Sequence, residues 1–150
     1  MKLSENFSLA EFITSDYAIR KSIDNTPADY LISNIKKTAH GLEIIRNIIG
    51  HPIHILSGFR SFDLNKRIGG SANSQHCSGK AADIISPKFG NAYLLAKIIE
   101  QNISYLKIDQ LILEYDNWVH VSFTAIPRGQ ILTIHNPTEW YQTGIVTKKY

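Results

Sequence analysis

The chain has 150 residues, 43% hydrophobic and 19% charged, enough apolar material for one domain with its own core and too much for a disordered chain. Its net charge is +3 and its pI about 9.0, but the basic residues are scattered, with only small pairs such as Lys36-Lys37 and Lys148-Lys149. That excludes the clustered charge and exposed aromatics of a nucleic-acid binder and fits mild attraction to a polyanion.

No apolar run nears the roughly 20 residues of a membrane span. The polar start, Met1-Lys2-Leu3-Ser4-Glu5-Asn6, lacks a signal-peptide pattern, so the chain is expected in the cytoplasm when synthesised. Ser8-Leu9-Ala10-Glu11 reads as a capping box opening a short helix, seated by Phe7 and Phe12. After Asn25, Thr26 as cap and Pro27 in the first turn predict a long helix. Leu31, Ile32, Ile35, Ala39, Leu42, Ile45, Ile48 and Ile49 form its buried stripe, and Gly50 marks its end.

Residues 51–56 read as a strand. Residues 57–79, rich in glycine and serine, are expected to be irregular, and a loop of that length in a small domain is usually functional. A short buried strand at 81–85 and an amphipathic helix from Asn91 to about Gln101 follow, the helix turning Ala92, Leu95, Ile98 and Ile99 inward. Strands at 108–114 and 118–123 are joined by a tight turn at Tyr115-Asp116-Asn117. Residues 130–134 supply a last strand or hairpin. The pattern is α+β, with helices on one face of a mostly antiparallel sheet. The whole chain is expected to be one domain and a monomer.

Two imidazoles and one carboxylate, His76, Asp83 and His120, stand out as a metal set with one open position, the donor set of a hydrolytic zinc rather than a structural one. Strand alternation puts Trp118, His120 and Ser122 on one face and Val119, Val121 and Phe123 on the other. Asp83 lies in an apolar strand, where a carboxylate without a cation is costly; the alternative to metal is an ion pair with Arg60 or Lys80. His76 and Asp83 are seven positions apart, an odd spacing that would face them oppositely on one strand, but Ser78-Gly79 breaks the chain between them. Two nitrogens and one oxygen suit zinc, whereas calcium needs more oxygens. In an extended segment neighbouring side chains alternate, so Cys77, the single cysteine, would face away from the metal; one cysteine also excludes an internal disulfide. His40, His51, His54 and His135 lack such company and read as surface or core histidines.

Several segments resemble the D-Ala-D-Ala zinc peptidase family, in particular its small bacteriophage and prophage members. They are Phe7-Ser8-Leu9-Ala10-Glu11-Phe12, Ser57-Gly58-Phe59-Arg60-Ser61, Asn65, Ile68-Gly69-Gly70, Ser74-Gln75-His76, Gly79, Ala81-Ala82-Asp83, Asp109-Gln110-Leu111-Ile112, Glu114 and Trp118-Val119-His120. The likeness covers about residues 3–123 and leaves 124–150 as a C-terminal extension. It implies a hedgehog/D-Ala-D-Ala-peptidase-like fold and a zinc hydrolase cutting a peptide bond in peptidoglycan stem peptides. His76, Asp83 and His120 would be its ligands. Arg60 would hold a substrate carboxylate or carbonyl with its planar fork; its alternative is to anchor the loop.

Several branches of the family carry the catalytic acid three positions before the last histidine, where this chain has Asn117. The phage-type branch carries Glu six positions before it, matching Glu114. Opposed residues in a hairpin share a face. A two-residue turn would bury Glu114 against the core, whereas a three-residue turn pairs it with Trp118 on the His120 face. The three-residue turn is predicted, with Asn117 suited to its left-handed position and Asp116 held in reserve as base. Ser74 and Gln75 are expected to orient substrate, and Trp118 either to wall the cleft or to pack. The expected enzyme reaches the wall after release or delivery, in the manner of an endolysin. The alternative is a zinc-stabilised wall-binding or phage structural module without catalysis; an acidic Glu114 favours the enzyme.

Overall fold

In the computed structural model, which describes residues 1–148, the alternation expected of residues 118–123 divides a six-stranded sheet into two unlike faces. The strands are β1 (His54–Ser57), β2 (Ala81–Ile85), β3 (Gln110–Glu114), β4 (Trp118–Ser122), β5 (Gln130–Ile134) and β6 (Gln142–Thr143). Their spatial order is β1-β2-β4-β3-β5-β6. Every neighbouring pair is antiparallel except β3 and β5. The helices are α1 (Leu9–Ile13), α2 (Asp16–Lys21), α3 (Ile32–Ile49), α4 (Phe62–Arg67), α5 (Ala92–Gln101) and α6 (Ile103–Leu106). Among the described residues no helix is long and apolar enough to cross a membrane.

Val119 and Val121 are fully buried. They cluster with Ala82, Ile84, Leu111 and Leu113 of the adjoining strands, with Ile35 and Leu42 of α3, and with Leu95 and Ile99 of α5. Such burial is the main favourable term of folding, and truncating one of these leucines to alanine typically costs about 2–5 kcal/mol. Phe123 lies partly buried against the same cluster. The predicted stripe of α3 is likewise the core side of that helix, with Ile35, Ala39, Leu42 and Ile45 at most 1% exposed, and Gly50 closes it at φ 68°. At α1 the backbone N–H and hydroxyl of Ser8 both donate to the Glu11 carboxylate, at 2.7 and 2.9 Å, and Phe7 and Phe12 are buried beside it.

Four expectations need correction. The long helix does not begin at Thr26: Asn25 bonds to the carbonyls of Ile13 and Phe59 and accepts from Ser61 N–H. Those bonds hold the chain extended to Ala28 (ψ 150°), and a 3-10 turn, Asp29–Leu31, precedes α3. The strand predicted from residue 51 starts at His54; Pro52 has no N–H for a ladder, and its carbonyl accepts from Ser86 Oγ at 2.7 Å. Residues 57–79 are not wholly irregular, because the Ser61 hydroxyl accepts from Leu64 N–H and caps α4. The segment bearing His76 and Cys77 is not extended but a run of turns, with Cys77 N–H on Ser74 C=O and Gly79 N–H on His76 C=O. The strand at 130–134 forms as predicted, and it pairs in parallel with β3 and antiparallel with β6.

Gly79 ends that run of turns at φ 71°, and a Cβ there would lie 2.6 Å from Ile35 Cγ1. Gly79→Ala therefore combines a left-handed non-glycine residue with overpacking against α3. Urea unfolding is expected to show a loss of about 1–3 kcal/mol or more; an unchanged midpoint would contradict this packing.

Candidate metal centre

Alternation along β4 and pairing in register bring the three candidate ligands together. Asp83 on β2 lies opposite His120 on β4, so both project from the face that the core does not occupy. Ser57 on β1 is registered with Asp83, and the chain beyond it supplies Gly58 and Arg60. The turns after Ser71 then return His76 over the same place.

His76 Nε2 lies 3.2 Å and His120 Nδ1 3.0 Å from one carboxylate oxygen, Asp83 Oδ1. The two rings meet edge to face at 5.1 Å. A tetrahedral ion with bonds of about 2.0–2.1 Å separates its donors by about 3.3 Å, so these gaps are close to the edges of one coordination polyhedron. Among the described residues this is the one group of three or more His, Cys, Asp or Glu donors that converges, and all three members are buried.

The surroundings fix which atoms point inward. His76 Nδ1 is 2.6 Å from the Gly58 carbonyl. A carbonyl only accepts, so Nδ1 carries a proton, and Nε2 is the nitrogen that would turn its lone pair to a cation in place of a proton. A Cβ at Gly58 would lie 2.6 Å from the Phe12 carbonyl oxygen, so only glycine lets that acceptor sit so close to α1. Asp83 directs its second oxygen, Oδ2, to Arg60 Nη2 at 3.1 Å, and Arg60 Nε donates to Ser57 Oγ at 3.0 Å. Both roles weighed for Arg60 beside Asp83, ion pair and loop anchor, are thus present together with the imidazole cluster. Burial would push the Asp83 carboxyl up, but the charge and hydrogen bonds of His76 and His120 outweigh it and hold the group well below the usual carboxylate range. His120 Nε2, on the far side of its ring, is buried without a partner.

Glu114 pairs with Trp118 across a three-residue turn, as predicted, and so shares the face of His120. The left-handed residues of that turn are Tyr115 and Asp116 rather than Asn117; Asn117 N–H donates to Glu114 C=O at 3.0 Å. Trp118 Nε1–H donates to Glu114 Oε2 at 3.1 Å, and its ring stands edge-on to Tyr115 at 5.3 Å. Burial and the Asp83 charge raise the Glu114 carboxyl above its ordinary value, against the opposing pull of His120, Trp118 and Arg60. Asp116, the reserve acid, is engaged by His135 Nδ1 at 3.2 Å.

A family model for Peptidase M15 matches residues 5–122. The chain belongs to the peptidase M15 family. Membership makes it a peptidase with a peptide substrate, and its His76, Asp83 and His120 can hold a metal ion. A search of curated proteins found no match.

In this M15 peptidase Ser74 and Gln75 bond to the protein itself. The Ser74 hydroxyl accepts from His76 N–H at 3.3 Å, and the Gln75 amide donates to Asp109 at 2.9 Å. Cys77 stands outside the ligand group, and burial raises its thiol. His40, His51 and His54 are exposed. Sequence reading missed Asp109, a nearly buried carboxylate that Arg128 holds far below the usual range. Its signal was weaker than that of Asp83: Asp109 is an acid close to Ile108 and Leu111 but beside the polar Gln110.

A divalent ion that binds only the folded state stabilises it by mass action, about 2.7 kcal/mol at a hundredfold excess over Kd. Added Zn2+ is expected to raise the Tm of chelator-treated protein, and His120→Ala should abolish the rise. An equal rise in both proteins would place the ion elsewhere.

Proposed function

We propose that the chain is a zinc-dependent hydrolase that cleaves a peptide bond in peptidoglycan stem peptides, as a cell-wall carboxypeptidase or endopeptidase of the endolysin type. The observation that carries this reading is the donor triangle of His76, Asp83 and His120 with Glu114 on the same sheet face, in a chain of the M15 family. The donors fit zinc: two nitrogens and one oxygen at near-tetrahedral spacing, with the tautomer of His76 set by Gly58. Zinc bound there would polarise the scissile carbonyl and supply a water of lowered pKa.

The chain's own groups then divide the work. Glu114 takes the proton of the attacking water and returns it to the leaving amine. Its raised proton affinity suits the return, and the Trp118 bond fixes one oxygen so that the other faces the reaction. Arg60 has donors beyond the two spent on Ser57 and Asp83; these receive a substrate carboxylate and steady the oxyanion. Trp118 walls the cleft beside Glu114. The bonds of Ser74 and Gln75 favour a part in holding the His76 turn over the substrate contact expected of them. We read the chain as one zinc peptidase domain of the small bacteriophage or prophage kind, active on the wall after release or delivery.

Purified peptidoglycan treated with the protein is expected to release new amines, and a chelator should stop the release. Glu114→Gln should lower turnover by about 10²–10⁴-fold while leaving zinc uptake intact. Unchanged turnover would remove Glu114 from the chemistry. Release of no amine by the unaltered, zinc-loaded protein would leave the wall-binding module in its place.

The protonation of Glu114 gives a further expectation. A carboxyl whose folded pKa is raised favours the fold when protonated, a contribution lost as pH rises through that value. Metal-free Glu114→Gln is therefore expected to melt above the unaltered protein at neutral pH and to lose that advantage in acid, by calorimetry across pH. A melting difference that stays the same at every pH would contradict the raised proton affinity of Glu114.

A further inference from the structure

The family match ends at residue 122, yet a side chain beyond it is bonded into the supports of the candidate metal site. Asp109, 2% exposed, is where those supports meet. Its Oδ1 accepts from Arg128 N–H at 2.9 Å and from Arg128 Nε at 3.1 Å. Its Oδ2 accepts from Arg128 Nη2 at 2.7 Å and from Gln75 Nε2 at 2.9 Å. The Asp109 backbone donates to Ser122 C=O, two residues from His120, and accepts from Gln130 N–H. Gln75 in turn anchors the turn that carries His76, its carbonyl accepting from the N–H groups of Ser78 and Lys80 and from Ser78 Oγ.

We propose that Arg128, acting through Asp109 and Gln75, is a positioning residue for the metal site: it fixes the turn bearing His76 and so sets how tightly the ion is held. The inference rests on the metal reading above and extends it to the segment outside the family match. The guanidinium fork engages both carboxylate oxygens. Removing it leaves a nearly buried charge with one neutral donor from a side chain, a costly state relieved by protonating the acid or by its movement toward water. Any such movement pulls on Gln75, whose neighbour is a candidate ligand. Metal sites tolerate little of this, and loss of an outer hydrogen-bond partner typically weakens metal binding about 10–100-fold.

The test uses the full chain and Zn2+ or Co2+ as probe. Arg128→Met removes the fork, and Gln75→Leu leaves the Arg128–Asp109 pair intact and cuts only its link to the turn, so one variant remains informative if the other folds poorly. Arg67→Met breaks an exposed ion pair on α4 and serves as control. Competition with a chromophoric chelator is expected to show zinc held at least about tenfold more weakly in Arg128→Met and Gln75→Leu, with partial recovery in Arg128→Lys and no change in Arg67→Met. The visible spectrum of the cobalt form should shift in the same two variants. Variants that lose thermal stability but keep the original zinc affinity and cobalt spectrum would overturn the inference and leave Arg128 a structural residue. Failure of the unaltered chain to take up zinc would sink the metal reading itself, and the inference with it.

Discussion

A single buried carboxylate governs this molecule. Asp83 lies on an interior strand, β2, and is 4% exposed, where an isolated negative charge is among the costliest things a protein can hold. The fold answers by surrounding it with cation-capable groups: two imidazoles on one oxygen and a guanidinium on the other. The register of β2 with β4, the turns that return His76, and the path of Arg60 after β1 are all needed at once to surround that charge. The same convergence, two imidazoles on one carboxylate oxygen, is what lets His76, Asp83 and His120 hold a metal ion.

The glycines near this cluster belong to the same constraint. Gly58 presents a carbonyl to His76 from a place where any side chain would strike α1, and Gly79 lets the turns close against Ile35. Glu114 depends on neither. It shares the cluster's sheet face because the β3–β4 turn has three residues, and its proton affinity is raised by burial first and then by the Asp83 charge.

Much of this was legible in the chain because it is local or periodic. The alternation from Trp118 to Phe123, the cap at Ser8 and Glu11, and the anomaly of an acid between Ala82 and Ile84 all act over a few residues. The three-residue turn was expected on Asn117 taking the left-handed conformation, and it forms with Tyr115 and Asp116 left-handed instead. Failures came where distant residues decide. Thr26-Pro27 has the form of a helix start, but Asn25 is tied to the carbonyls of Ile13 and Phe59 and holds the chain extended. The cap at Ser61 was hidden by the glycine and serine around it. Left-handed Tyr115 defied residue preference because the hairpin, not the side chain, dictates φ, whereas Asp116 beside it is a residue type that tolerates that conformation. The Gln75–Asp109–Arg128 chain spans more than fifty residues and no local pattern announces it.

The parallel seat of β5 beside β3 carries a hazard as well as a support. With β5 and β6 in place the sheet ends on a two-residue strand, too short to template another chain. Strip them away and the open margin becomes β3, a flat run of Gln110-Leu111-Ile112-Leu113-Glu114 whose amides and carbonyls on that side have lost their partners. Such a margin recruits strands from its neighbours. A chain halted just after β4, with every candidate ligand already made, would therefore be primed for aggregation, and β5 with β6 covers that margin.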